Sequence, residues 1–149
     1  MIGGLIWWMS VAQSKETAAL ERMSSRQIAL RQTTDMATKF HIHPELVIFI
    51  NGTQIPIPHD LGIGPTGMTA IHTHDEDGII HVEAPVKKDF TLGDFFAVWG
   101  KDFSRSKILE STVDETTEII VTVNGQRIGT YENTILKDKD KIVISYQSK

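Results

Sequence analysis

The chain of 149 residues is 40% hydrophobic and 23% charged, which is enough apolar material for one compact domain with a sizeable core. Its formal net charge is −4 with histidine neutral, and no basic patch stands out, so nucleic acid is not an expected partner. The chain contains no cysteine, which excludes disulfides, thiolate metal sites and cysteine nucleophiles.

Residues 1–12, MIGGLIWWMSVA, form an apolar run that only Ser10 interrupts. A membrane-spanning helix needs about 20 apolar residues, so this run is too short to cross a bilayer by itself. Trp7 and Trp8 are adjacent, and indole rings favour the membrane–water interface. We therefore predict that residues 1–12 contact a membrane or a membrane-protein complex, or are the end of a longer anchor. The alternative is a packed N-terminal helix.

The segment from Val11 to Lys39 contains neither proline nor glycine and is rich in strong helix formers. This composition predicts a long helix, in which residues 13–39 form a stalk. Apolar residues recur at a 3-4 spacing, but Glu16 and Arg26 interrupt the stripe, so the coiled-coil pattern is weak. Two arrangements fit this pattern: a stalk that forms a homo-oligomer, and a helix that lies on the surface of its own domain.

The domain of residues 40–149 begins with a predicted β-hairpin. The segment ELVIFI is rich in β-branched and aromatic residues, and Asn51-Gly52 after it is typical of a two-residue type I′ turn. The returning segment TQIPIP contains prolines, which lack an N–H donor and therefore favour the edge of a sheet. GIIHVEAP, residues 78–85, predicts a further strand.

The segment FTLGDFFAVWG, residues 90–100, changes from the period of a strand to that of a helix. Thr91 and Asp94 have the spacing of a capping box, which predicts that the helix begins there. Phe95 and Trp99 share one face of that helix, and we expect this face to pack on the sheet.

The last third of the chain predicts a second hairpin around Asn124-Gly125 and a closing strand within ILKDKDKIVISY. The predicted class is therefore α+β, with a mixed sheet, one packed short helix and a long N-terminal helix before them. The order of hairpin, strand, helix, hairpin and strand over residues 45–146 resembles the β-grasp fold of ubiquitin and the small sulfur-carrier proteins. Sulfur carriers end in an activated Gly-Gly, whereas this chain ends in YQSK, so carrier chemistry is not expected.

All six histidines lie between positions 41 and 81, and five of them fall into patterns of i and i+2, the spacing that places two side chains on one face of a strand. The short link DEDG predicts that AIHTH and GIIHVE are antiparallel neighbours, so that their side chains meet across a hairpin. Neutral imidazoles with a carboxylate suit Zn²⁺, Cu²⁺, Ni²⁺ or Fe²⁺, and Zn or Cu is the first expectation. The predicted metal ligands are His72, His74 and His81 at the centre, with Glu83, His41 and His43 as further ligands or supporting groups. His59 has no paired partner and is not included.

Three strings of the chain also resemble a family of uncharacterised bacterial and archaeal proteins. These strings are HIHPELVIFINGTQIPIP, HTHDEDGIIHVEAP and FTLGDFFAVWG, and they match the pattern HxHxxL…HTHDxxGxIHxE…FTLGxFFxxWG. The resemblance covers most of residues 41–146. It implies a domain on the extracytoplasmic side of a membrane, behind an N-terminal anchor, and it implies no particular activity.

The sequence therefore predicts an extracytoplasmic, membrane-associated module that binds Zn or Cu. One alternative is a non-catalytic accessory subunit of a membrane protein complex, in which Asp75, Asp77 and Glu83 orient a structural network of imidazoles. A second alternative is a cupin-like metalloenzyme, because cupins also carry His-x-His on a strand, although the other cupin motif is not found at its spacing. No nucleophile–base pair, phosphate loop or dinucleotide motif is present, so no catalytic residue is predicted.

Overall fold

The computed structural model describes residues 3–34 and 38–149, which form an α+β structure with a long N-terminal helix, as predicted. Its helices are α1 (Gly3–Arg22), α2 (Ser25–Leu30) and α3 (Leu92–Trp99). Its strands are β1 (Phe40–Ile42), β2 (Glu45–Ile50), β3 (Thr53–Ile55), β4 (Ile63–Gly64), β5 (Gly67–Met68), β6 (Ile71–His72), β7 (His81–Ala84), β8 (Lys107–Ile108), β9 (Ser111–Thr112), β10 (Thr117–Val123), β11 (Gln126–Ile128) and β12 (Lys141–Ser148). A single 3₁₀ turn, Tyr131–Asn133, precedes β12.

The helix predicted from Val11 to Lys39 is divided in the structure. α1 ends at Arg22, and Ser24 starts a second helix, because its hydroxyl and the Gln27 side chain form a reciprocal capping box. The chain leaves the helix after Leu30, and Thr33 forms an isolated β-bridge with Met68. Residues 35–37 of the predicted helix lie outside the described residues, as do residues 1–2 of the apolar run.

The second helix lies on the surface of its own domain. Ile28 and Ala29 of α2 are buried, and the Arg26 Nε donates a hydrogen bond of 2.6 Å to Oδ1 of the buried Asp94 in α3. The end of α1 is also attached, because Lys88 Nζ donates to the carbonyl oxygen of Glu21. Residues 25–30 therefore fit the surface arrangement, and a free stalk of residues 13–39 does not describe them.

A five-stranded mixed sheet has the strand order β11-β10-β12-β2-β3. Its central pair, β12 and β2, is parallel, and every other pair is antiparallel. Both hairpins turn at the predicted Asn-Gly pairs, where all four residues have positive φ, as a type I′ turn requires. β3, which precedes the prolines, forms an edge of the sheet as predicted.

The predicted helix α3 is confirmed, with its cap. Thr91 and Asp94 form the capping box, and Gly100 ends the helix in a left-handed conformation. Phe95 is fully buried in the hydrophobic core, which also contains apolar side chains of the five-stranded sheet. Trp99 packs against this core while remaining partly exposed.

A second sheet, of three antiparallel strands in the order β1-β7-β6, carries His41, His72 and His81, while His43 and His74 lie just beyond the ends of β1 and β6. The strand predicted within GIIHVEAP is β7, and it joins this sheet instead of the five-stranded one. The two sheets meet where β1 continues through Pro44 into β2. There the Ile80 amide donates to the Pro44 carbonyl at 2.9 Å, and the Leu46 amide donates to the Gly78 carbonyl at 2.8 Å.

The first turns of α1 remain uncovered. Five consecutive apolar residues are 63–75% exposed: Leu5, Ile6, Trp7, Trp8 and Met9. Among residues 3–34 and 38–149, none of the helices combines the length and the apolar composition needed to cross a bilayer.

We predict that Gly78→Ala destabilises the domain more than Gly125→Ala does. Both glycines have φ +81°, so alanine at either position costs about 1–2 kcal/mol for the left-handed backbone. At Gly78 a Cβ would also lie 2.5 Å from the Leu46 carbonyl oxygen, whereas at Gly125 nothing lies within 4 Å. Urea unfolding of the two variants should differ by roughly 1–3 kcal/mol, the usual cost of overpacking. Equal losses would show that the sheets can separate at this junction without penalty.

Candidate metal centre

The strand register brings the three histidine patterns to one place. In the pair β1–β7, His41 lies opposite Glu83, and in the pair β6–β7, His72 lies opposite His81. Because β7 lies between β1 and β6, all three strands contribute side chains to one region. The predicted pairing of AIHTH with GIIHVE is therefore observed, and β1 joins it on the other side of β7.

Five imidazole rings form a continuous series of contacts. Centroid separations along the series are 4.5 Å for His41–His43, 4.7 Å for His43–His81, 4.5 Å for His81–His74 and 4.8 Å for His74–His72. The series closes through His72 and His81, whose nearly parallel rings are 5.5 Å apart. His81, on the central strand, contacts rings from both sides.

The outer group consists of His41, His43, His81 and Glu83, whose ligand atoms all lie within 4.8 Å of one another. His41 Nε2 is 3.0 Å from His43 Nε2 and 3.0 Å from Glu83 Oε1. Neighbouring ligands of a tetrahedral zinc ion with bonds of about 2.0–2.1 Å lie about 3.3 Å apart. The outer group is therefore close to the spacing of ligands around a single ion. It is open to solvent, since the side chain of His41 is 47% exposed.

The inner group consists of His72, His74 and His81, whose ligand atoms also lie within 4.8 Å of one another. His72 is fully buried, and its Nδ1 lies 2.9 Å from the Thr69 carbonyl oxygen. A carbonyl only accepts hydrogen bonds, so Nδ1 carries the proton and Nε2 carries the lone pair. This Nε2 is buried and has no hydrogen-bond partner among residues 3–34 and 38–149.

Burial keeps the central imidazoles neutral. Burial lowers the pKa of His72, which outweighs the hydrogen bond to Thr69 and the charge of Glu83. Burial also lowers the pKa of His81, and the neighbouring imidazoles of His74 and His43 lower it further. Neutral imidazole is the form that binds a metal ion, so both residues are available as ligands near neutral pH.

All six predicted ligands fall within the outer and inner groups, and His59 belongs to neither. His59 is an exposed residue whose Nδ1 lies 2.9 Å from Asp60 Oδ2, and this contact raises its pKa. Asp77, which was predicted to orient imidazoles in the structural alternative, instead accepts a hydrogen bond from the Ile79 amide and shapes the β6–β7 turn.

Two supporting contacts were not predicted. The Thr69 carbonyl sets the tautomer of His72, and Asp138 Oδ1 accepts a 2.9 Å hydrogen bond from the His43 backbone amide. A backbone carbonyl has no sequence signature. Asp138 lies in the charged turn before β12, far along the chain from His43, and only the parallel pairing of β12 with β2 brings them together.

Comparisons of the chain with protein-family models, with curated proteins and with solved structures give no match. The function is therefore inferred from the chemistry of the outer and inner groups and from the exposed surface of α1.

We predict that the metal-free protein loses stability as the pH falls below about 6.5, the ordinary histidine pKa. In that range the unfolded chain binds protons at His72 and His81 that the folded chain binds only at lower pH, so acid favours unfolding. Above that range His72 and His81 are neutral in both the folded and the unfolded chain, so these two residues no longer make the stability depend on pH. Urea unfolding in the presence of a chelator, from pH 8 to pH 5, measures the decline.

The matched controls are His72→Gln and His59→Gln. The first should show a shallower decline, because one of the two groups with a lowered pKa is gone. The second should keep the full decline, since the pKa of His59 is shifted in the opposite direction. An unchanged decline in His72→Gln would contradict the conclusion that burial lowers the pKa of His72.

Proposed function

We propose that this domain binds a transition-metal ion, Zn²⁺ or Cu²⁺, through the histidines of the outer and inner groups and Glu83. The observation that carries this proposal is the buried Nε2 of His72, which has a lone pair and no hydrogen-bond partner in the described part of the chain. A buried polar atom without a hydrogen bond costs about 1–3 kcal/mol. A metal ion removes that cost, and the bond from Nδ1 to the Thr69 carbonyl is the kind of support that metal-bound histidines receive.

The types of donor atom indicate which metal ions suit the two groups. Five imidazoles and one carboxylate, with no thiolate, are borderline ligands that suit Zn²⁺ and Cu²⁺. Copper has the higher intrinsic affinity for nitrogen ligands in the series of first-row metals. The separations of 3.0 Å in the outer group are compatible with tetrahedral zinc.

The alternative of an accessory subunit with a structural histidine network accounts for the outer group. There His41 Nε2 can donate a hydrogen bond to Glu83 Oε1 or to the Nε2 of His43, each at 3.0 Å. The same alternative gives the buried Nε2 of His72 no partner among the described residues, and for this reason it ranks second.

The second alternative is a cupin-like metalloenzyme. The inner group supplies three imidazoles, and three protein ligands with one open position are typical of catalytic zinc sites. Turnover of candidate substrates by the metal-loaded protein distinguishes this alternative from a binding module.

We also propose that the start of α1 inserts into a membrane surface and that the domain faces the extracytoplasmic side. Successive helical residues point about 100° apart, so the five exposed apolar residues from Leu5 to Met9 cover the whole circumference of the helix. A protein groove covers one stripe of a helix, whereas lipid accepts every side of an inserted turn. The extracytoplasmic side is supported by the family resemblance alone. Association of two or more copies through α1 remains the alternative.

For the fold we propose a β-grasp arrangement of the five-stranded sheet. It is supported by the parallel central pair of β2 and β12, by the hairpin on each side of that pair and by α3, which lies between the two hairpins in the chain. The segment that contains β6 and β7 is then an insertion between the first hairpin and α3, and β1, which precedes that hairpin, completes the three-stranded sheet.

We predict that the parent protein binds Zn²⁺ or Cu²⁺ at micromolar concentration and that His72→Ala/His74→Ala weakens the affinity at least tenfold, as loss of ligands or their support does. Isothermal titration on untagged protein measures the affinity. The metal should also raise the unfolding temperature of the parent, because it binds the folded state. His59→Ala is the control and should bind as the parent does. A parent that binds neither ion would falsify the proposal.

We predict that the full chain floats with vesicles of phosphatidylcholine and phosphatidylglycerol and that Trp7→Ser/Trp8→Ser reduces the floating fraction several-fold. Indole rings stabilise a helix at the membrane–water interface, and both rings are exposed here. Ile135→Ser, which removes an exposed apolar side chain elsewhere, should float as the parent does. Binding that survives the double tryptophan substitution would show that the two indole rings do not make the membrane contact.

A further inference from the structure

His81 belongs to both the outer and the inner group, and this sharing limits how the site is occupied. A neutral imidazole has one nitrogen with a lone pair and one that carries a proton. His81 therefore binds one ion at a time as long as it keeps that proton. An ion in the outer group deprives the inner group of a third ligand, and an ion in the inner group leaves the outer group with His41, His43 and Glu83.

Charge also opposes two ions. The two groups lie on either side of β7. Their positions are therefore separated by one strand spacing, about 5 Å. Glu83 is the only carboxylate in the two groups, and the other five ligands are imidazoles, which supply no negative charge. Two dications at this separation would repel each other with a single negative charge to offset them. Single occupancy is therefore favoured.

The two groups differ in access to solvent. In the outer group the side chain of His41 is 47% exposed and that of Glu83 is 20% exposed. In the inner group His74 is exposed but His72 is fully buried. An ion with its previous ligands still attached can reach the outer group and His74, whereas it binds the buried His72 only after it has lost them.

We propose that a single ion occupies these groups in turn, with the outer group as the loading position and the inner group as the holding position. This inference rests on the metal binding proposed above. His81 stays bound throughout, because its ring contacts His43 on one side and His74 on the other, at 4.7 and 4.5 Å between centroids. The ligands of the outer group are replaced one at a time by His74 and His72, so the ion does not return to water between the positions.

The consequence is a division of kinetic roles. Ligands of the outer group control how fast an ion is taken up, and ligands of the inner group control how slowly it is released. The chemistry suits a module that accepts Cu²⁺ or Zn²⁺ from a weaker carrier by ligand exchange and then retains it.

The test is stopped-flow uptake and chelator-driven release of Cu²⁺ alone by the full chain. The parent should bind one ion per chain. His41→Ala/Glu83→Gln should slow uptake by roughly tenfold and change release by less than about threefold. His74→Ala, an exposed residue whose loss spares the buried core, should speed release by roughly tenfold and leave uptake nearly unchanged. His59→Ala should match the parent in both rates.

Three results overturn the proposal in distinguishable ways. Two ions per chain would show that the groups fill independently. If the two variants changed the uptake rate and the release rate equally, the ion would occupy a single site and would not move from the outer to the inner group. Absence of both Cu²⁺ and Zn²⁺ binding by the parent would overturn the proposed function and the route together, whereas the first two results leave metal binding intact.

Discussion

Two backbone hydrogen bonds between neighbouring segments, at Pro44 and Gly78, hold the histidine sheet against the main sheet. One runs from the Ile80 amide to the Pro44 carbonyl and the other from the Leu46 amide to the Gly78 carbonyl. Gly78 has no side chain, so the carbonyl of Leu46 approaches it at a distance that a Cβ would not allow. β7 starts just after this contact, and β7 is the strand that both flanking strands pair with. The positions of the candidate ligands therefore depend on where β7 is placed.

The site combines side chains that paired strands hold in place with one buried nitrogen, His72 Nε2, that has no hydrogen-bond partner among the described residues. Candidate ligands on paired strands are held by the backbone ladder, which fixes geometry better than loops do. Burial keeps His72 and His81 neutral, so the crowding of imidazoles carries little charge repulsion near neutral pH. What remains is the lone pair of the buried His72 Nε2. A protein interior rarely leaves such an atom without a hydrogen bond, and a bound ion is one of the explanations for an exception.

The N-terminal helices connect an exposed apolar end to this domain. The first turns of α1 are uncovered, whereas Leu20 near its end is buried and α2 packs on α3. The ion pair from Arg26 to the buried Asp94 fastens α2 to the residue that caps α3. Asp94 therefore binds both α2 and the start of α3, because its Oδ2 also accepts a hydrogen bond from the Thr91 amide. The exposed apolar end of α1 is therefore linked, through the other end of the helix, to the core of the domain.

The sequence by itself determined the features that depend on neighbouring residues: the Asn-Gly turns, the capped helix α3 and the i, i+2 spacing of the histidines. These follow from local backbone geometry. The capping box of Ser24 and Gln27 was equally local, yet strong helix formers on both sides obscured it. The tertiary structure alone decided that β7 joins β1 in a separate sheet, that His81 belongs to two groups, and that the Thr69 carbonyl leaves His72 Nε2 free. Periodicity specifies which face a side chain takes, but it does not specify which distant strand lies beside it, and the site is made by that pairing.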